Sequence, residues 1–252
     1  MRTRLLLISV LVGAALSARA QDPQQVFEQA SQLYQQGKFA EAGEAYESLV
    51  NNGYASGVLY YNLGNAYYKV GNIAKAVLFY ERALKLMPND EDLRYNLQLA
   101  NSVIIDKIEP APRLFIWQYW DGMKQMLSLH GLTWLAYLVF VLTIGAWAGL
   151  ILARTYRFRR IALIAGSVSG LVFALVLVVF FGRLSDLGSK DSAIVTAQIT
   201  TAKNSPDPKS SDAFVLHAGV KVQITDQLSD WVKIRLADGK VGWMERSAAE
   251  TL

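Results

Sequence analysis

The sequence predicts a multidomain membrane protein with three parts: an all-α domain of helical repeats, a two-helix transmembrane hairpin and a small all-β barrel. Three observations predict it. A 34-residue period runs through residues 23–107. Two uncharged apolar runs, Gly131 to Ala153 and Ile161 to Gly182, flank a short arginine-rich segment. From Ser189 onward, short apolar runs alternate with turn residues.

The composition of the 252 residues agrees. Hydrophobic residues make up 52% and charged residues 18%, against roughly 25% charged in soluble domains. The absence of cysteine excludes a disulfide-stapled fold, a thiolate zinc site, a cysteine nucleophile and a lipoprotein anchor. His130 and His217 lie too far apart in the chain to form a metal motif. The net charge is +4, and its excess sits in the first twenty residues and between the two apolar runs. That is a membrane pattern and not the basic face of a nucleic-acid binder.

Residues 1–20 read as a secretory signal. Arg2 and Arg4 form the positive region, Leu5 to Leu16 the apolar stretch, and Ala18-Arg19-Ala20 the small-x-small cleavage site. An uncleaved signal anchor is the alternative, and either form exports the domain that begins at Gln21.

The repeat domain spans residues 21–106. Gly37 recurs as Gly71, Ala42 as Ala76, Tyr46 as Tyr80 and Tyr34 as Tyr68; Tyr61-Asn62-Leu63 recurs as Tyr95-Asn96-Leu97. A period of 34 marks the tetratricopeptide repeat, and the run YNLGNAYYKVGNIAKAVLFYERALKLMPND resembles that family closely. The copies are 23–56 and 57–90, with a capping helix over 91–106. Small residues at 64 and 76 let the two helices of a repeat cross closely, Gly71 permits the turn between them, and Pro88 stops the second. In the first copy Ala30 stands where Gly64 would be; in the third, Gln98 does. Repeat stacks bind peptides or proteins in the groove lined by each repeat's first helix. Tyr34, Tyr61, Asn62, Asn65, Tyr68 and Lys69 fall on that face, as a docking groove or as a solvated face beside the aromatic core.

Residues 107–128 form a linker. Pro110 and Pro112 break the helix, and the aromatic run from Leu114 to Trp120 then suits the headgroup level of a bilayer. A recognition site for an aromatic-binding partner is the alternative.

The apolar runs 131–153 and 161–182 each extend roughly 33 Å as a helix, close to the ~30 Å hydrocarbon core. Arg154, Arg157, Arg159 and Arg160 lie in the 154–160 loop between them, which the positive-inside rule places in the cytoplasm. Both soluble domains then face the extracytoplasmic side. Neither run carries an ionisable residue, so the hairpin reads as an anchor and not a transporter. Gly145, Gly149 and Ala153 recur at i+4 in the first helix; Ala162, Gly166, Gly170 and Ala174 do so in the second. Such stripes favour close packing.

Residues 188–252 carry the barrel. Strands are expected at 193–195, 214–216, 220–224, 231–236 and 241–244, with a hairpin turn at Ala237-Asp238-Gly239-Lys240. The loop Ser205-Pro206, the run LHAGVKVQI, the strand DWVKIRL and the run DGKVGWM resemble bacterial SH3-like domains. Trp231 and Trp243 either stack on a peptide or glycan or belong to the core.

Phosphate-loop, zincin and nucleophile-elbow motifs are missing, so a non-catalytic role with no cofactor and no metal is expected. The order of segments, with the phrase LRYNLQLANSVIIDKIEP, resembles the BatE-type proteins of bacterial aerotolerance operons over nearly the full chain. The resemblance implies partners: membrane-anchored von Willebrand A-domain Bat proteins and, across the membrane, a MoxR-type ATPase. It also implies a role in envelope or oxidative-stress tolerance. Two functions are therefore expected to compete: a membrane scaffold whose repeats dock a partner, and a cell-wall-binding or sensing protein acting through the barrel.

Overall fold

The computed structural model describes residues 22–112, 114–189 and 191–252. The signal reading of residues 1–20 lies outside them. The described residues up to Ala55 form one compact unit, and Ser56–Leu252 a second.

The first unit is a helical pair, α1 (Pro23–Gln35) and α2 (Phe39–Asn51). Asp22 caps α1 by accepting from the Gln24 amide, with Pro23 at the first helical position. Ala30 and Ala42 are fully buried where the helices cross, and the Tyr46 hydroxyl meets Ser31 Oγ at 2.8 Å.

The second unit begins with the second repeat, α3 (Gly57–Lys69) and α4 (Ile73–Leu86), followed by the single helix α5 (Glu91–Ser102). Each start has its own cap: Ser56 Oγ, Asn72 Oδ1 and Asp90 Oδ1 accept from Leu59, Lys75 and Leu93 amides. Glu91 and Asp92 stand in the first turn of α5, where the helix dipole favours them. Gly71 ends the α3 turn at φ +79°, in the left-handed region, and the Asn72 amide reaches back to the Tyr67 carbonyl. Gly37 does the same in the first repeat at φ +77°. Leu59, Leu63, Ala66, Ala76, Val77 and Tyr80 fill the core between the helices. Gly64 is where α3 and α4 approach most tightly: a Cβ there would lie 2.6 Å from Tyr80 Cδ1.

The aromatic linker forms α6 (Phe115–Gln125). Phe115, Ile116, Tyr119 and Met123 are exposed, while Trp120 turns to the next long helices. Those are α7 (Leu129–Leu152) and α8 (Tyr156–Gly188), both long and apolar enough to cross a membrane. They pack along their length, with Phe140 and Phe173 5.5 Å apart. The small-residue stripes meet only in part. Gly149 faces the Ala162 methyl and Gly170 faces Thr143, but Gly166 is covered by the Trp147 indole and Gly145 meets no atom of the neighbouring helix. The bulk of Trp147 fills the space at Gly166 that two small faces would have closed. The arginine segment also differs from expectation. Only residues 153–155 leave the helix, and Arg157, Arg159 and Arg160 stand exposed in the first turns of α8.

α8 runs past Gly182 to Gly188 and leads into the sheet. Its strands are β1 (Ser192–Val195), β2 (Ile199–Lys203), β3 (Asp212–His217), β4 (Lys221–Leu228), β5 (Trp231–Arg235), β6 (Val241–Glu245) and β7 (Ala249–Thr251). They form one antiparallel sheet in the order β3-β2-β6-β5-β4-β1-β7, whose end strands do not pair with each other. The sheet holds two strands beyond the five expected, β2 and β7. Ile194, Val195, Val222, Ile234 and Met244 form its core. Gly239 takes φ +94° in the β5–β6 turn.

Contacts from α4 and from the segment after α5 reach this sheet. Asp106 accepts from the His217 amide at 2.7 Å and lies 2.9 Å from His217 Nδ1. Ile104 packs on Gly219, and the Ala111 amide donates to the Ala237 carbonyl. On α4, Arg82 binds Glu250 and the Thr251 carbonyl, and Glu81 binds Lys221.

Candidate functional site

Two surfaces gather the residues singled out in the sequence. The first is the face of α3 and α5. Tyr61 and Asn65 are four residues apart and so share one side of α3. The fold places Asn96 of α5 against both: its Nδ2 donates to Tyr61 Oη and to Asn65 Oδ1, each at 3.0 Å. The hydroxyl of Tyr80, a side chain only 1% exposed, donates to the same Asn65 oxygen at 2.7 Å. This corrects the expectation that Asn65 is a purely outward-facing groove residue. Its carbonyl belongs to the packing of three helices. That anchoring fixes the amide plane and leaves Nδ2 as the group without a partner among the described residues.

Asn62 is half-buried beside it, with no side-chain hydrogen bond among the described residues. Tyr68 is half-buried and Lys69 exposed at the end of α3. Tyr34 belongs to the first unit, where its ring meets Phe39 edge-on at 5.0 Å.

Three residues of α5 were not singled out. One is Asn96. The other two, Tyr95 and Leu99, occupy on α5 the repeat positions of Tyr61 and Asn65, and both are exposed, Tyr95 by 66%. The recurrence of Tyr-Asn-Leu 34 residues on was the signal that could have found them. Together the two helices present aromatic and aliphatic area beside oriented amide donors, a combination suited to an extended peptide or a helix of a partner protein.

The second surface is the outer face of β5 and β6. Their burial alternates, with Val232, Ile234, Gly242 and Met244 inward. Trp231, Lys233 and Trp243 are therefore on the opposite face, and the register pairs Lys233 with Trp243. Lys233 Nζ stands over the Trp243 ring, 5.8 Å from its centre. Both tryptophans are half-buried. The fold thus brings Trp231 and Trp243 onto one face, each showing part of its ring. Lys233 was missed because a lysine between two strand apolar residues reads as an ordinary solvent-facing position.

The family model for the tetratricopeptide repeat matches residues 58–90, and that for the bacterial SH3 domain matches residues 203–250. Among curated proteins none matches the chain. The chain therefore carries a tetratricopeptide repeat and a bacterial SH3 domain, with two long apolar helices between them.

Proposed function

We propose that the protein is a non-catalytic scaffold of the bacterial cytoplasmic membrane. In this reading the α3–α5 face docks a partner protein outside the cytoplasm. The observation that carries it is the fixed amide of Asn65 beside Asn62 and the exposed Tyr95 and Leu99. The groove comprises Tyr61, Asn62, Asn65, Tyr68 and Lys69; Tyr34 holds the Tyr68 position of the first repeat, in the other unit. The α7–α8 hairpin is the anchor. Its exposed arginines stand at the end remote from Gly182, which supports a two-pass arrangement with Arg154, Arg157, Arg159 and Arg160 in the cytoplasm. The segment order supports a BatE-type role, with von Willebrand A-domain Bat proteins as partners and a MoxR-type ATPase linked through them.

The test uses the full chain in intact cells, with a photo-crosslinking residue at Asn62 or Tyr95. A discrete adduct with one membrane protein from both positions is expected. If neither position yields an adduct while the chain is expressed and membrane-bound, the groove is not the docking site.

A second reading rests on the Trp231–Lys233–Trp243 face, which is suited to a cell-wall peptide or glycan. Sedimentation of the full-length protein with purified peptidoglycan, abolished by Trp231→Ala plus Trp243→Ala, is its expected result.

A further inference from the structure

The C-terminal part of α8 meets α4, α6 and the sheet around a cavity of about 370 Å³. Its charged lining is unevenly paired. Lys124 holds Asp121 at 3.1 Å and Asp186 at 2.7 Å. Lys221 holds Glu81 at 2.7 Å. Those pairs engage every acidic side chain of the lining.

Lys85 and Arg183 line the same cavity, and among the described residues neither forms an ion pair with an acidic side chain. Lys85 Nζ donates to the main-chain oxygens of Ser189, at 3.0 Å, and Leu252, at 3.4 Å. Arg183 Nη2 donates to the Lys85 carbonyl at 2.6 Å. Arg183 is only 6% exposed, and its buried Nε meets no acceptor among the described residues. Burial of the Arg183 charge outweighs the attraction of nearby Asp186, and such incompletely balanced charge is costly. Burial first, and then neighbouring Lys221, hold the Lys85 ammonium below the ordinary lysine range. An added anion would relieve both groups.

The chemistry of the two donors narrows the anion. A guanidinium presents a planar fork that fits phosphate oxygens, and an ammonium adds a point charge beside it. The position narrows it again. Arg183 is the first residue after the uncharged run 161–182. If α7 and α8 span a bilayer, the cavity stands at headgroup depth, where basic pockets meet lipid phosphates.

We propose that this cavity is a phosphate-group site, with Lys85 and Arg183 as its ligating cations. A phospholipid headgroup and a free phosphate share that chemistry. The lipid source rests on the proposed membrane arrangement; the site itself does not.

The test uses the full chain purified in neutral detergent. Phosphatidylglycerol retention is followed by native mass spectrometry, and the response to inorganic phosphate by the thermal midpoint of lipid-free protein. One lipid per chain is expected, its affinity about tenfold lower in Lys85→Gln and kept in Lys85→Arg. Lys85→Gln is the principal variant because Lys85 is half-buried on a helix surface, whereas a change at Arg183 would also disturb packing. Arg157→Gln, remote from the cavity, should behave as wild type. Lipid retained against millimolar inorganic phosphate assigns the site to a headgroup. Stabilisation by inorganic phosphate without lipid retention assigns it to a soluble phosphate and counts against the membrane placement alone. Equal lipid and phosphate responses in wild type and Lys85→Gln overturn the proposal.

Discussion

The Tyr80 hydroxyl reaches across from α4 to Asn65 Oδ1 on α3, 2.7 Å away, and Asn96 of α5 reaches the same oxygen at 3.0 Å. One amide thus ties three helices. Asn65→Ala strips the acceptor from a buried hydroxyl and from the Asn96 amide. A loss of about 1–3 kcal/mol is expected, read as a lower thermal midpoint of the helical signal in circular dichroism.

Asn62→Ala should behave differently, because Asn62 supports no hydrogen bond among the described residues. Stability should stay within about 0.5 kcal/mol of wild type. Crosslinking from Tyr95 to the partner should fall. A variant with full crosslinking would remove Asn62 from the groove.

The crossing at Gly64 has no room for a side chain, since the Tyr80 ring occupies the Cβ position. Gly64→Leu should destabilise by roughly 1–3 kcal/mol or more through overpacking, and abolish the cooperative melt of the repeat. An unchanged melting curve would mean that α3 and α4 separate without cost.

The proposed membrane arrangement is testable because the chain has no native cysteine. Single cysteines at Ser211 and at Thr155, both exposed, report opposite sides. An impermeant thiol reagent should label only Ser211 in cells with a permeabilised outer membrane and an intact inner one. Labelling at Thr155 would contradict the arrangement.

The β5–β6 turn carries a pH signature. The Lys240 backbone amide, and then its ammonium, hold the Asp238 carboxyl below its usual value of 3.8. A depressed folded-state pKa gives a contribution present above 3.8 that is lost as pH falls through the lower, folded value. The difference in thermal midpoint between wild type and Asp238→Ala should therefore be constant near neutrality and vanish in acid below 3.8. A difference that persists in strong acid would assign the effect to turn geometry instead of charge.

Much of this architecture was legible from local pattern. The 34-residue period located α3, α4 and α5 because buried small and aromatic residues recur where helices cross. Two strands escaped. β2 reads Ile-Thr-Thr-Ala-Lys, with Ala202 as its one buried residue, and β7 is three residues long. Neither shows the alternation that marks a strand. The arginines were read as loop because charge ends an apolar run, yet a helix continues through charge that faces outward. The tether on Asn65 was invisible for another reason. Asn96 is 31 residues away, and nothing local to either asparagine reveals the meeting. The cavity lined by Lys85 and Arg183 is still less local, since its residues come from five separate segments of the chain.

Arg82 donates to Glu250, 168 positions later, and to the carbonyl of Thr251. A ribosome makes the repeat long before it makes those acceptors. During synthesis α4 can fold against α3, but its outer face stays unfinished until the strands of the sheet have been made. Completion of that face therefore waits on the folding of the sheet. A chain whose β7 has not yet paired presents α4 with Arg82 and Lys85 deprived of their late partners.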